Sequence, residues 1–178
     1  ETVGAAHAYS VTLTAETLVL FDALTADRSD LVWSLIGPRG TDVSARAFNA
    51  SDSYNFGGNA VMRLPPGSYT LIVDGTGAAT GEYAFRLFDV AAATPITYDD
   101  PVTVTLNPSS ATVALRFSGA GGQRVVLPQI PFGATGRIID PFGREVLGTG
   151  GFYNGNTLVL QTTGQYLVLI EGYPQAAS

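Results

Sequence analysis

Two copies of a Gly-x-Tyr motif constrain the fold of this sequence more than any other feature. The first copy lies in PPGSYTLIVDG (residues 65–75), and the second lies in TTGQYLVLIEG (residues 162–172). Glycine can adopt the positive φ that redirects a chain, and the alternating apolar residues that follow have the period of a β-strand. The motif therefore predicts the same turn and the same strand twice.

Further segments recur around the motif in the same order. The matching pairs are SLIGPRG with RIIDPFG, GNAVMRL with GNTLVL, and YSVTLTAETLVLF with VALRFSGAGGQRVVL. A fixed order of landmarks indicates an internal repeat. We therefore predict two tandem units, residues 1–92 and residues 93–178, joined by the thinly charged linker AAATP (residues 91–95).

The composition supports a β-rich fold for both units. Short apolar runs rich in Val, Thr, Leu, Tyr and Phe alternate with turns, and the chain contains 21 Gly and 10 Pro. This composition is typical of strands and turns, and no segment has a convincing amphipathic helical pattern. Because no helix is available to cover a sheet, we predict an all-β fold of two tandem jelly-roll-like antiparallel β-sandwiches.

The strand after each motif predicts which residues form the core. Tyr69, Leu71 and Val73 share one face of the first strand, and we expect that face to be buried. The second strand is apolar on both faces, because Leu167 and Leu169 lie opposite the face of Tyr166. Such a strand is usually covered on both sides. Trp33 and Phe21 are most simply core residues.

The repeat also shows which strands lack a counterpart. VTVTLNP (residues 102–108) opens the second unit as a predicted strand and has no match in the first unit, whereas GEYAFRLFDV (residues 81–90) has no match in the second. Open sheet edges are either covered or used for strand addition. We expect Leu167 and Leu169 to mark an assembly edge for neighbouring repeats or copies of the chain. An arbitrary segment boundary is the alternative explanation.

Charge and composition exclude several classes of function. The net charge is −6, all nine basic residues are Arg, and Cys is absent. An acidic surface repels phosphate backbones, so we predict no nucleic-acid partner. No run of eighteen apolar residues exists, so we predict no membrane span. Without an initiator Met or a signal peptide, we expect a mature or excised segment of a longer protein.

Catalysis finds little support in the sequence. His7 is the single histidine, and a Ser-His-Asp triad would have to be built on that residue near the start of the chain. Zinc sites draw mainly on Cys and His, so zinc is also disfavoured. We predict that the chain is not an enzyme.

Calcium is the one cofactor that the sequence leaves open, since it needs only oxygen ligands. The candidate ligands are two acidic pairs, Asp27 with Asp30 and Asp99 with Asp100. Acids in β-protein loops also form turns, which is the alternative for both pairs. In the polar loop of residues 48–59, Tyr54 and Phe56 could stack on a sugar or a peptide. Packing at the end of a sandwich is the alternative for these two aromatic residues.

The segments FDAL, WSLIGPRG, PPGSYTLIVDG and GEYAFRLFDV, followed by IIDPFG and TGQYLVLIEG, resemble the bacterial pre-peptidase C-terminal type of domain. They are similar to tandem repeats of very large secreted or surface-anchored bacterial proteins. The resemblance spans residues 6–172 and is carried mostly by turn and core residues. It implies jelly-roll-like sandwiches, an extracellular setting and no catalysis by the domain itself. In some branches it implies calcium or a matrix or carbohydrate ligand.

Two functional hypotheses follow. The first is a non-catalytic structural or adhesive repeat unit of a secreted or cell-surface bacterial protein, which assembles head-to-tail through incomplete sheet edges. The second is an accessory module of a secreted enzyme that binds extracellular matrix or polysaccharide, with or without calcium. Back-to-back repeats without a catalytic neighbour favour the first hypothesis.

Overall fold

The computed structural model describes residues 5–51, 59–148, 152 and 156–173. Within these residues the chain forms β-strands and two short 3-10 helices, Phe48–Ala50 and Val90–Ala92, and no α-helix. The all-β prediction is therefore confirmed. In the same residues, no helix is long and apolar enough to cross a membrane.

The strands fall into two sets along the chain. The N-terminal half supplies β1 (His7–Leu13), β2 (Thr17–Ala23), β3 (Leu31–Gly37), β4 (Gly40–Ala47), β5 (Val61–Leu64), β6 (Gly67–Gly75) and β7 (Phe85–Asp89). The C-terminal half supplies β8 (Thr94–Pro95), β9 (Thr112–Gly119), β10 (Arg124–Val126), β11 (Ala134–Ile139), β12 (Glu145–Leu147), β13 (Thr157–Val159) and β14 (Gly164–Gly172).

The strands form four sheets in the described part of the chain. Sheet 1 has the order β1-β6-β3-β4, and sheet 2 has the order β5-β2-β7. Sheet 3 has the order β12-β11-β14-β9-β8, and sheet 4 pairs β10 with β13. Strand pairs are antiparallel except β8 with β9, which is parallel. The order β4-β3-β6-β1 thus matches β12-β11-β14-β9.

The register of the central pair is also the same in both halves. In sheet 1, β3 pairs with β6 from Leu31 opposite Gly75 to Ile36 opposite Thr70. In sheet 3, β11 pairs with β14 from Ala134 opposite Gly172 to Ile139 opposite Leu167. The residues that the sequence motifs align therefore occupy matching sites in the two sheets.

The two motif glycines begin β6 and β14 in the same unusual conformation. Gly67 has φ +147° and Gly164 has φ +156°, which confirms the predicted positive φ. A Cβ on Gly67 would collide with the ring of Pro38, and a Cβ on Gly164 would lie 2.7 Å from Cγ of Pro141. Both the conformation and the close proline require glycine at these sites.

The motif tyrosines also have one role in both halves. The hydroxyl of Tyr69 donates to the carbonyl oxygen of Pro65 at 2.8 Å, and that of Tyr166 donates to Thr162 at 2.8 Å. Both side chains are buried. A buried phenol needs a hydrogen-bond partner, and each finds it four residues earlier in the turn.

Sheets 1 and 2 enclose the core of the N-terminal half. Tyr69, Leu71 and Val73 pack there as predicted. Phe21 stacks on Trp33 with 4.0 Å between ring centroids, which confirms both residues as core. The indole nitrogen of Trp33 donates to the hydroxyl of Ser51 at 2.6 Å.

A second apolar cluster joins sheets 2 and 3. Leu20 of β2 and Val61 of β5 pack with Ile139, Leu167 and Leu169 of sheet 3. Alternate side chains of β2 lie on opposite faces of sheet 2, so this sheet contributes to both clusters. The same alternation in β14 directs Leu167 and Leu169 toward sheet 2, so the predicted cover is confirmed for that face.

A third cluster lies between sheets 3 and 4. It contains Phe117, Ile138 and Tyr166 from sheet 3, together with Leu127 and Leu160 from the ends of the strands of sheet 4. The four sheets are therefore stacked in the order 1-2-3-4.

Two predicted features of the junction between the halves are wrong. The supposed linker is packed structure, because Ala93 is buried in the second cluster and Thr94–Pro95 forms β8. Residues 102–106 of the predicted VTVTLNP strand belong to no strand. The edge of β9 pairs with β8 and not with this segment. Nothing in the sequence indicates that pairing. The jelly-roll description and the domain boundaries stay predictions.

Candidate functional site

An apolar cavity of about 660 Å³ opens between sheet 3 and sheet 4. Its floor is the face of sheet 3 turned away from the N-terminal half. The floor residues are Leu115, Phe117, Ile138, Val168 and Ile170. Strand alternation places all five on the face opposite Leu167 and Leu169. The site is thus built from the same strands that hold the two halves together.

The walls of the cavity come from two segments of the C-terminal half. Residues 125–131, which include the end of β10, form one wall. Residues 96–106 form another, in which the alternate side chains Val102, Val104 and Leu106 line the cavity. The acids in the lining are Asp99 and Asp100. The cavity therefore has a hydrocarbon interior with negative charge in one stretch of its wall.

The sheet edge beside the cavity distinguishes it from the N-terminal core. In sheet 2, the central strand β2 pairs with β5 on one side and with β7 on the other. In sheet 4, β10 pairs with β13 on one side, and no described residue pairs with its other side. β10 corresponds to β2 in the repeat, and β13 corresponds to β5. The open side of β10 is the position that β7 occupies in the N-terminal half.

Large apolar side chains are exposed in the cavity lining. Val102 is 45% exposed and Tyr98 is 41% exposed. The hydroxyl of Tyr98 donates to the carbonyl oxygen of Ser118 at 2.9 Å, and burial raises the pKa of this phenol. Contiguous exposed apolar surface of this kind marks an interaction site more often than scattered single residues do.

The cavity and the adjoining strand edge offer two kinds of contact. Its interior offers apolar contact, and its open strand edge offers backbone N–H and C=O groups. These are the two components by which a sheet binds an extended peptide. An apolar small molecule would use the interior alone.

The predicted calcium ligands Asp27 and Asp30 lie apart from this cavity. Asp27 is exposed, and Asp30 accepts from Arg28 with 2.6 Å between Nε and Oδ1. The hydrogen bond from Arg28 holds the pKa of Asp30 below its usual value. An acid engaged by a guanidinium is a poorer calcium ligand, because the cation would have to displace Arg28.

The second acidic pair, Asp99 and Asp100, lies in the cavity wall. Asp99 has φ +70°, and Asp100 accepts a hydrogen bond from the hydroxyl of Thr97. Both observations agree with turn formation. In the described ranges, no three or more His, Cys, Asp or Glu side chains form a group that could hold a metal. Calcium binding at either pair stays a prediction.

The other predicted site residues have different outcomes. Tyr54 and Phe56 lie outside the described residues. Leu167 and Leu169 are buried under sheet 2 of the same chain, at 8% and 0% exposure. They are therefore not exposed as an assembly edge, which corrects that prediction. Sheet 2 of the same chain covers this apolar face of β14.

His7 contacts other aromatic residues at the start of β1. Its Nδ1 lies 2.5 Å from the hydroxyl of Tyr83, which lies 2.7 Å from the hydroxyl of Tyr9. A role for His7 in catalysis gains nothing from these contacts, and the prediction that the chain is not an enzyme stays a prediction.

A polar network crosses the interface between the two halves. Asp22 of β2 is buried and accepts from Arg86 of β7 with 2.6 Å between Oδ2 and Nε. Asp22 also accepts from the backbone N–H of Thr112 at 3.2 Å, and Arg86 donates to the carbonyl oxygen of the same residue. Burial raises the pKa of Asp22, although Arg86 and Thr112 oppose the increase.

Sequence reasoning missed the cavity itself. The available signal was the absence of a GEYAFRLFDV counterpart in the second unit, combined with the apolar run VVLPQIPF (residues 125–132). From the sequence, the consequence of that absence is expected at the outer face of β14, at Leu167 and Leu169. The structure places the open position at β10, on the other side of sheet 3.

Comparisons with known proteins add no family assignment. No family model matches the sequence, and no curated protein is significantly similar to it. The functional argument therefore depends on the geometry of this chain.

Proposed function

We propose that this chain is a non-catalytic structural repeat unit of an extracellular bacterial protein. In this role, two packed β-sandwiches form one stiff element that joins neighbouring units through an incomplete sheet edge. The observation that carries the proposal is the apolar cluster shared by sheets 2 and 3. Domains joined in one chain usually move relative to each other unless their interface is large and apolar.

Polar contacts at the ends of the interface support the same role. The side-chain amide of Asn59 donates to the carbonyl oxygen of Gly143, and Arg63 donates to that of Phe142 at 2.6 Å. At another place, the hydroxyl of Ser110 donates to the carbonyl oxygen of Leu24 at 3.1 Å. Directional contacts of this kind fix the orientation of two surfaces in addition to holding them together.

The extracellular bacterial setting is supported by the resemblance to surface-protein repeats. The repeated strand order supports a tandem array, since stacked units bury surfaces that one unit alone would expose. A calcium requirement is not part of the proposal.

Rotational diffusion in solution tests the stiff-element proposal. We expect backbone ¹⁵N relaxation to give one overall correlation time for β6 and β14. Two separate correlation times would contradict the proposal. Light scattering across concentration, with and without calcium, then measures the assembly component. Growth of the mean mass with concentration supports it, and a constant monomer mass at every concentration counts against self-assembly.

An accessory binding module is the second candidate, because the cavity is apolar and open to solvent. In that case polysaccharide fragments, with or without calcium, should perturb amide signals of residues 96–106 or 125–131. The structural role predicts no such perturbation.

A further inference from the structure

We propose that the cavity and the open edge of β10 bind an added peptide strand with the apolar pattern of β7. This strand lies antiparallel to β10 and places bulky apolar side chains at alternate positions into the cavity. The inference deepens the proposed structural function by naming the joining site and the chemistry of its partner.

The N-terminal half supplies the template for this complex. There β7 runs antiparallel to β2, with Phe21 opposite Leu87 and Ala23 opposite Phe85. Phe85 and Leu87 pack against the core between sheets 1 and 2. Phe85 also stacks on Phe21 with 5.2 Å between ring centroids. The matching place in the C-terminal half is the cavity.

The positions that β7 contacts have counterparts at the cavity. Val19 and Phe21 of the N-terminal half correspond to Val125 and Leu127, and both of these line the cavity. Val19 is 2% exposed, whereas Val125 is half-buried. Leu127 is 4% exposed, close to the 2% of Phe21, so the lower burial is confined to Val125, the position nearer the open edge of the cavity lining.

Backbone hydrogen bonds show which groups of β10 are available. The carbonyl oxygen of Gln123 accepts from Leu160, and the N–H of Leu127 donates to Asn156. Backbone groups alternate in direction along a strand, so Arg124 and Val126 direct theirs toward the open edge. These two residues are in position to pair with an added strand.

Titration of the intact chain with a synthetic peptide tests the proposal. The probe is residues 81–90, GEYAFRLFDV, because it contains the strand that covers the N-terminal core. The control peptide has serine in place of Tyr83, Phe85 and Leu87. We expect saturable binding of the probe, with slower hydrogen exchange at the amides of Arg124 and Val126. The control peptide should bind at least tenfold more weakly.

Two proline variants test the strand pairing separately from apolar adsorption. Val126→Pro removes an N–H from the open edge, and it should weaken probe binding about tenfold. Val159→Pro is the matched control, since Val159 lies opposite Arg124 and directs its N–H to the far side of β13. It should change binding less than twofold.

Several results would overturn the inference. Absence of probe binding to the wild-type chain would do so, as would equal binding of the two peptides. Slow exchange of Arg124 and Val126 in the dilute monomer would mean that a segment of the chain itself covers the edge. Binding of the apolar dye anilinonaphthalene sulfonate that the probe fails to displace would assign the cavity to small apolar ligands.

Hydrogen exchange and mass are also measured on the concentrated protein without peptide. Slow exchange at the same two amides, together with growth in mass, would support the inference and place the strand in a second copy. Growth in mass without protection of these amides would contradict it. Failure of the probe to bind while β6 and β14 still tumble together would overturn this inference and leave the stiff-element proposal intact.

Discussion

The two halves of this protein have the same strand order around the Gly-x-Tyr strand, yet one core is covered and the other is open. In the N-terminal half, β7 completes sheet 2 and brings Phe85 and Leu87 to the core. In the C-terminal half, the corresponding side of β10 borders a cavity of about 660 Å³. A single strand therefore separates a covered core from an open cavity on the same framework.

A second difference concerns the outer face of the central strand. Ile72 of β6 lies on the outer face of sheet 1 and is half-buried. Leu169 of β14 occupies the same register position in sheet 3 and is 0% exposed, because sheet 2 covers it. The stacking of the two halves therefore makes the second strand a buried one.

The largest expected effect is the loss of stability on truncating Leu169, compared with the same truncation at Ile72. Leu169→Ala should reduce the free energy of unfolding by about 3 kcal/mol, since it removes a buried side chain and leaves a cavity in the interface. Ile72→Ala, the matched control, should cost about 1 kcal/mol because solvent reaches that face. Urea unfolding followed by circular dichroism measures both. Equal losses would contradict the assignment of the interface.

The next effect tests whether the turns at Gly67 and Gly164 are equivalent in the two halves. Gly67→Ala and Gly164→Ala should each reduce the free energy of unfolding by about 2 kcal/mol, because alanine is strained at these φ values and its Cβ meets a proline ring. Chemical denaturation should give losses that agree within about 1 kcal/mol. A large loss at one glycine alone would mean that the turns are not equivalent.

A matched pair of substitutions should have opposite signs. Val19→Phe overfills the closed core, so it should destabilise the protein by about 2 kcal/mol. Val125→Phe extends into the open cavity, so it should stabilise the protein by about 1 kcal/mol. Thermal unfolding by calorimetry gives the order of the two melting temperatures. Destabilisation by Val125→Phe equal to that of Val19→Phe would show that the cavity is closed in solution.

The smallest effect is a difference in pH dependence between two buried acids. Burial raises the pKa of Asp22, so its contribution to stability is complete below the ordinary carboxyl pKa of about 4. That contribution is lost as the pH rises through the raised value. For Asp140, burial alone would raise the pKa. Hydrogen bonds from the Arg144 side chain and from the backbone N–H groups of Arg144 and Phe142 outweigh it and lower the pKa.

The contribution of Asp140 is therefore present above the ordinary pKa and is lost as the pH falls through the lowered value. Relative to the wild type, Asp22→Asn should gain stability as the pH rises from about 3 to about 7, and Asp140→Asn should lose stability over the same range. Urea unfolding at several pH values measures both slopes. Slopes of the same sign in the two variants would contradict the assigned directions.

Much of the framework could be predicted from the sequence, because local chemistry specifies it. The Gly-x-Tyr motif identified β6 and β14 together with their turns, and the alternation of Tyr69, Leu71 and Val73 identified a core face. Trp33 and Phe21 were recognised as core because large aromatic residues in strand-like runs are seldom exposed. These inferences depend on neighbours within a few residues in the chain.

The candidate site was less predictable, because it depends on which strands are neighbours in space. VTVTLNP has the pattern of a strand, but its Val102, Val104 and Leu106 line a cavity without pairing in a sheet. AAATP has the composition of a linker, but Ala93 is buried between the halves. A short apolar pattern shows that a residue needs cover and does not show which segment supplies it.

The all-β class, the repeated strand and turn, and the need of β14 for cover on both faces follow from the order of the amino acids. Alternation, glycine conformation and composition are local properties, so the sequence shows them directly. The cover of Leu167 and Leu169 by sheet 2 and the position of the open edge at β10 are evident only in the folded protein. Those outcomes depend on the packing of sheets from distant parts of the chain, in which each apolar face is buried by whichever partner fits it.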